Sequence, residues 1–476
     1  MRSITLIILL YLLAGCSDFL EEVDQDKLIP SKTEHYASVL LDCINHSYPV
    51  FANVDFMADN VTEYRYSTED VRKKKKTVYT WQLEIELDEN GNKIGGNDMW
   101  TKAYKNIAIA NYVIELIDDA EGTTEEKKFV KGEAYFLRAL CYFNLLNIYG
   151  QPFRTESARY DLGVPLRLNN GIEQTYQRNT VSECYAQIEK DFKEASRLIA
   201  ESGVKKSNFH PSVGACALFL SRVYLYQEKW EDVVTAATEA MKYGSLVRIP
   251  TSGIFMTQDN EELVYSGQFS NGSIKHSDFE SGGWQVDPGL IRLYTSGDLR
   301  FDLFFSKING KMSDVYYSNK AESSYSRVGQ CVTRLAEAYL NRAEAYAHLK
   351  EPEKAAADMY DLLATRYARV SDFTVPDESE ALLRFILIER RKELCFEEHH
   401  RWFDLRRMQD SPEVVHAFTI TDANGTIYGT EYYTLFPNDL NYTLPIPLAE
   451  RENNPLIQNN ERYDKLPEMD GEIVIP

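Results

Sequence analysis

The stretch 389-ERRKELCFEEHHRWFDLRR-407 crowds acidic and basic side chains around two adjacent histidines, and its reading decides between an active centre and a piece of architecture. Placed on a helix, Glu393, Glu397 and His400 stand at i, i+4 and i+7 and share one face, a spacing able to hold zinc. The His-Glu-x-x-His motif of zinc hydrolases is missing, however, and Arg390 and Arg401 compete for the same carboxylates while repelling the ion. No metal is expected there. What the stretch does instead depends on the chain around it.

That chain is helical over long spans. Apolar residues recur at three and four in 100-WTKAYKNIAIANYVIELID-118, and 129-FVKGEAYFLRALCYFNLLNIYG-150 is apolar nearly all round, as a buried helix must be, with Gly150 and Pro152 as its stop. Two later segments match in type. In 221-SRVYLYQEKWEDVVTAATEA-240 and 343-AEAYAHLKEPEKAAADMYDL-362, Ser221 corresponds to Ala343, Tyr224 to Tyr346 and Trp230 to Pro352. Small residues that let two antiparallel helices approach, and aromatic residues that fill the groove between them, are the tetratricopeptide pattern. Tandem copies of that unit lie about 34 residues apart. Here the copies are much further apart, so something is inserted.

The insertion, 244–330, is rich in Gly, Ser, Asn, Asp and Tyr and lacks a sustained helical period; a loop of that length inside a compact body suggests ligand contacts. A second non-helical zone, 64–98, contains 78-VYTWQLEIELDENGNKIGG-96, which reads as two strands about an Asn90-Gly91 turn. A third, 418-FTITDANGTIYGTEYYTL-435, repeats the device around Asn424-Gly425. Asp88, Asn90 and Asn92 imitate the start of a calcium loop, but its twelfth position is Met99 rather than a bidentate Glu, which favours the turn.

The composition excludes some classes. With 44% hydrophobic residues, 31 Tyr and 22 Phe, the chain folds; a formal charge of -21 argues against a nucleic-acid partner, which needs a net basic face. The one basic run, 72-RKKKK-76, reads as a solvated face. No Gly-x-Ser-x-Gly elbow, Walker loop or dinucleotide fingerprint is found, and no enzyme activity is expected. Cys43, Cys141, Cys184, Cys216, Cys331 and Cys395 show no paired spacing and read as buried thiols.

The N-terminus carries an address. Residues 1–15 hold an apolar run, 4-ITLIILLYLLA-14, that is too short to span a bilayer and suits an export signal; it ends in 13-LAGC-16. This resembles the bacterial lipobox. Cleavage would leave Cys16 as the first residue, acylated and anchored by about 0.8 kcal/mol per buried methylene, at the head of an acidic tether over 16–30.

Four blocks in order, 129–150, 334-RLAEAYLNRAEAY-346, the opening stretch and 442-YTLPIPLAERENNPLIQNNERY-463, resemble the SusD/RagB family of outer-membrane nutrient-capture lipoproteins. The resemblance implies a mainly α fold of about four tetratricopeptide-like helix pairs with long loop and small β-hairpin excursions. It divides the chain into an N-terminal helical part, 31–243, the ligand-facing excursion 244–330 and a C-terminal part, 331–476. It further implies a lipid-anchored protein at the cell surface that takes an oligosaccharide, or in some members a peptide, and delivers it to a SusC-like TonB-dependent transporter, with no cofactor beyond the acyl group on Cys16. The acidic residues behind Cys16 begin at Asp18 and are interrupted by Phe19-Leu20, a departure from the surface-export signal of such lipoproteins. The alternative is a repeat adaptor that binds protein partners.

Within the family the opening stretch is a structural signature: Arg390, Glu393, Glu397, Arg401 and Asp404 pair to join the last helix to the body, and Trp402 and Phe403 pack beneath them. Trp100, Trp230 and Trp402 fall at packing positions, which leaves Trp284 and Trp81 as candidate stacking surfaces for a sugar. Trp284, flanked by glycines in 281-SGGWQVDPG-289, is ranked first, with Tyr66, Asn97 and Arg300 as polar partners.

Overall fold

The computed structural model describes residues 30–470 except 47, 96–97, 172–175, 268–273, 280–281, 309–313, 322–324, 327, 329–330 and 422–425. Cys16, the tether up to residue 29 and Asn97 lie outside the described residues.

Helices carry the body: α1 (Thr33–His46), α2 (Met99–Leu116), α3 (Thr124–Tyr149), α4 (Val181–Ser202), α5 (Val213–Tyr226), α6 (Trp230–Ala240), α7 (Leu335–His348), α8 (Pro352–Ala364), α9 (Ser379–Leu394) and α10 (His400–Arg407). Their ends follow from local chemistry. Thr123 accepts from the Glu126 amide while Glu126 reaches back to the Thr123 amide, and Thr180 and Glu183 repeat this box at α4, which stops at Gly203 in the left-handed region. From α2 to α7 each helix rests on the one before it, and α7 is covered by α8 and α9. The expected mainly α stack of helix pairs is what forms.

The two matching segments are the hairpins α5–α6 and α7–α8. Glu228 and Lys350, at the same place in each turn, both have positive φ, 57° and 61°, and both second helices begin at the matched Trp230 and Pro352. The hairpins lie side by side. Trp230 stacks on His348 at 4.0 Å with the rings 8° from parallel, so the long insertion loops out between units that pack as neighbours.

The insertion leaves and returns through an antiparallel ladder of β2 (Leu263–Gly267) on β6 (Cys331–Arg334). Its other strands are β3 (Trp284–Val286), paired to β1 (Val61–Glu63), and β4 (Phe305–Lys307), paired to β5 (Tyr316–Ser318). The expected C-terminal hairpin forms as β7 (Val414–Thr421) on β8 (Ile427–Leu435), joined on its far side by β9 (Glu468–Asp470); its turn lies outside the described residues.

Three expectations are corrected. The strands read in 78–96 are not a ladder: Lys76–Tyr79 is a helical turn, and the segment beyond it holds one isolated bridge, Leu87 to Lys93. The expected Asn90-Gly91 turn does form, with the Asp88 carboxylate accepting the amides of Asn90 (2.9 Å) and Asn92 (2.8 Å), but the first strand is lost because its start is helical and Trp81 turns through positive φ. The basic run is not a solvated face either. Arg72 is buried against Glu63, and Lys76 pairs with Glu89 and Glu431, each at 2.9 Å. Finally, Glu393, Glu397 and His400 share no helix face: α9 ends at Leu394, and Phe396, Glu398 and His399 turn through positive φ before α10 begins. Three non-glycine residues in that region cost about 1–3 kcal/mol each, and the surrounding ion pairs hold them there.

The six cysteines of the body are buried, and none is disulfide-bonded. Among the described residues no helix is long and apolar enough to cross a membrane.

Candidate functional site

All three non-helical excursions meet at one cleft of about 700 Å³. One wall is the β1–β3 pair. Thr62 lies opposite Gln285, and strand alternation turns both toward the cleft while Val61, Trp284 and Val286 point into the core. The facing wall is the outer side of the β7–β8 ladder, where Ala417 is paired with Tyr432 and Thr419 with Thr430. Pro288, Asp314 and Val315 from the insertion complete the rim.

A buried clamp fixes the two walls. Glu63 receives a guanidinium hydrogen bond from Arg72 at 2.5 Å and the Thr419 amide at 2.9 Å, while Arg72 also donates to the Thr419 carbonyl at 2.7 Å. The charge on each side chain is met by the other. The floor of the cleft is therefore set before any ligand arrives, which lowers the ordering cost of binding.

At the mouth stands Tyr66, 48% exposed. Its ring meets Tyr64 edge-on at 5.6 Å, and Tyr64 is itself packed on Ile308 and Val315 from the insertion. The Arg65 guanidinium lies over the Tyr66 ring at 5.1 Å and donates to its hydroxyl at 3.0 Å. Exposed aromatic area beside Thr, Gln and Tyr hydrogen-bonding groups is the surface that sugars use: C–H faces stack on the ring and hydroxyls reach the polar groups.

Of the residues singled out from sequence as ligand contacts, the structure brings Tyr66 to this cleft and places Trp284, Trp81 and Arg300 elsewhere, while Asn97 lies outside the described residues. Trp284, expected to present a free ring, is fully buried, wedged between Phe56 (5.2 Å) and Tyr79 (4.7 Å). Trp81 is also fully buried; it stacks on His416 at 4.3 Å and donates to the Met57 carbonyl at 2.8 Å. Arg300 is part of the core described next. The residues that sequence reasoning missed are Gln285, Arg65 and Tyr432. The alternation in 284-WQV-286 held the first of these, since a strand that buries Trp284 and Val286 must expose the residue between them.

The opening stretch forms the centre of a buried ionic network. The Glu393 carboxylate receives Arg300 (3.2 Å), Arg334 (2.8 Å) and Arg366 (2.9 Å), and all four side chains are inaccessible to solvent. Around them Glu262, Asp298, Glu389 and Glu397 meet the same arginines together with Lys320 and Lys392, so five cations face five carboxylates. Burial opposes ionisation of Glu393, but the three guanidiniums outweigh it and hold the carboxyl well below its usual range. A second group links Arg390 to Asp404 at 2.8 Å and Arg407 to both Asp404 and Glu344. Arg401 reaches across to Asp59 with two hydrogen bonds of 2.6 and 2.7 Å, and Trp402 and Phe403 are buried below. These charges are matched to each other and leave no free valence for a ligand.

Comparison with known proteins gives the same architecture a family. Residues 18–225 match a SusD-like family described as "Starch-binding associating with outer membrane", and residues 256–463 match the SusD family. The chain belongs to the SusD/RagB family. Over nearly their full lengths it is 22% identical to SusD-like protein P25 of Formosa agariphila (96% of this chain, 98% of the relative) and 25% identical to SusD-like protein P2 of the same organism (97% and 99%). Among solved structures, a SusD superfamily protein from Bacteroides vulgatus superposes with a TM-score of 0.71 at 21% identity, covering 91% of this chain and 99% of that one. A SusD-like carbohydrate binding protein from the same species gives 0.66 at 23% identity, covering 90% and 97%. The solved structures share the fold, and the family is the one described as starch-binding and associated with the outer membrane.

Proposed function

We propose that this protein is a lipid-anchored outer-membrane SusD protein that captures an oligosaccharide in the Tyr66 cleft and hands it to a SusC-like TonB-dependent transporter. The observation that carries the reading is the meeting of three excursions, far apart in sequence, on one pre-set cleft with an exposed tyrosine at its mouth. Its chemistry suits binding rather than bond cleavage. Glu63, the buried carboxylate beneath it, is committed to Arg72 and Thr419 and so is not placed to exchange a proton with a substrate. The lipobox at Leu13–Cys16 and the family's association with the outer membrane support the anchor and the site of action.

The test is glycan-array screening of the purified protein followed by calorimetric titration of Tyr66→Ala. Loss of stacking should cost about 1–3 kcal/mol, a drop in affinity of roughly 5- to 150-fold, with an unchanged melting temperature because the ring is half exposed. Wild-type affinity in Tyr66→Ala removes this cleft from the reading. Binding of peptides and of no glycan replaces the ligand class.

A further inference from the structure

Resting on that reading, we infer that the captured oligosaccharide carries an isolated anionic group, a carboxylate or a sulfate ester, held by Arg65 at the mouth of the cleft. The argument starts from how this chain treats its cations. Beneath and beside the cleft, Arg72 is neutralised by Glu63, Lys73 by Glu69 at 2.6 Å, and Lys76 by Glu89 and Glu431, while Lys75, partly buried away from the cleft, donates to the Asn53 side-chain oxygen at 2.7 Å. Arg65 differs. It is exposed and lines the cleft, and among the described residues its partner is the neutral hydroxyl of Tyr66 rather than a carboxylate. That contact orients the guanidinium beside the exposed ring and leaves further N–H donors of its planar fork free, in a geometry that matches a carboxylate or sulfate held through two oxygens.

The surroundings limit the ligand to isolated charges rather than a dense polyanion. The whole chain carries a formal charge of -21, and Asp314 stands on the same rim, so closely spaced anions along the ligand are repelled while a single one at Arg65 is accepted. Thr62, Gln285 and Tyr432 offer neutral donors and acceptors to the remaining hydroxyls. The fitting class is therefore a mostly neutral glycan with a uronic acid or sulfated sugar among its units.

The experiment uses matched oligosaccharides of one backbone, neutral, singly charged and charged on every unit, titrated into the wild type, Arg65→Gln, Arg65→Lys and Tyr66→Ala. The singly charged member should bind on the order of tenfold tighter than the neutral one. Arg65→Gln should remove that preference, leaving the neutral and singly charged members bound equally whatever the change in absolute affinity, and Arg65→Lys should keep part of it. Added salt should erode the preference in the wild type and in Arg65→Lys, and find none to erode in Arg65→Gln. Equal binding of neutral and singly charged members, or an equal loss on both in Arg65→Gln, overturns the anion inference while the cleft stands. Unchanged affinity in Tyr66→Ala, or no binding of any member of the series to the wild type, overturns the cleft reading and the inference with it.

Discussion

Replacing Glu393 by Gln tests the claim that the charge run of 389–407 is a strut. The substitution keeps the shape of the side chain and removes one carboxylate from a cluster of five cations and five carboxylates that water does not reach. Three guanidiniums that share Glu393 lose its charge, and the amide turns N–H donors toward N–H donors. A buried charge left without its partner costs about 3–5 kcal/mol. With a urea dependence of about 3 kcal/mol per molar, the upper end for small proteins, the unfolding midpoint should fall by about 1 to 2 M. The pH dependence gives an independent arm. Because the folded carboxyl is held well below its unfolded value of about 4.3, its stabilisation is complete above that value and is lost as the pH falls through the folded one. The gap between wild type and variant should therefore be constant from pH 7 to about 4.3 and close below it. An unshifted midpoint at neutral pH refutes the strut. A normal midpoint with lost glycan binding makes the cluster a site.

Three further outcomes are expected. Trp284→Ala should lower stability by about 3–5 kcal/mol in denaturant titration, since it empties a core position between Phe56 and Tyr79, and the surviving folded fraction should bind glycan with little change. His399 accepts the Phe51 amide on Nε2 at 2.9 Å and is therefore neutral, and burial with the nearby Arg222 charge pushes it down to about 3. Between the unfolded histidine value of about 6.5 and 3 the unfolded chain binds the extra proton, so stability should fall on acidification by up to about 1.4 kcal/mol per pH unit from this group, and His399→Gln should flatten that slope in denaturation series across pH. Cys16→Ala should move the protein from the membrane to the soluble fraction of cells; acylation that persists contradicts the lipobox.

The helical body was legible because its signals are local. The apolar period of 100–118, the all-round apolar character of 129–150 with its Gly150 stop, and the matched hairpins at Trp230 and Pro352 all depend on neighbours in sequence. The excursions were legible as irregular segments, and the cleft is where they meet, but the choice of residues within it was not. Glycines on either side of Trp284 suggested a free ring, whereas the pairing of β3 with a strand more than two hundred residues upstream in the chain decides which way that ring points. Arg300 read as a polar residue in a loop. Only the fold shows that it meets Glu389 and Glu393 on α9. Exposure and ion pairing across long separations are properties of the closed structure, and the spacing of residues within a segment does not encode them.

The placement of the insertion between packed hairpins also dictates an order of events during synthesis. When α6 has emerged, the side of it that α7 will cover has no partner, because the intervening residues must all be made before α7 exists. Until the ring of His348 can reach Trp230, the N-terminal half is a stack with one uncovered end, open to association with other chains. A protein built this way depends on being protected from association until it is complete, and a truncation anywhere inside the insertion should yield an aggregating fragment rather than a smaller binding protein.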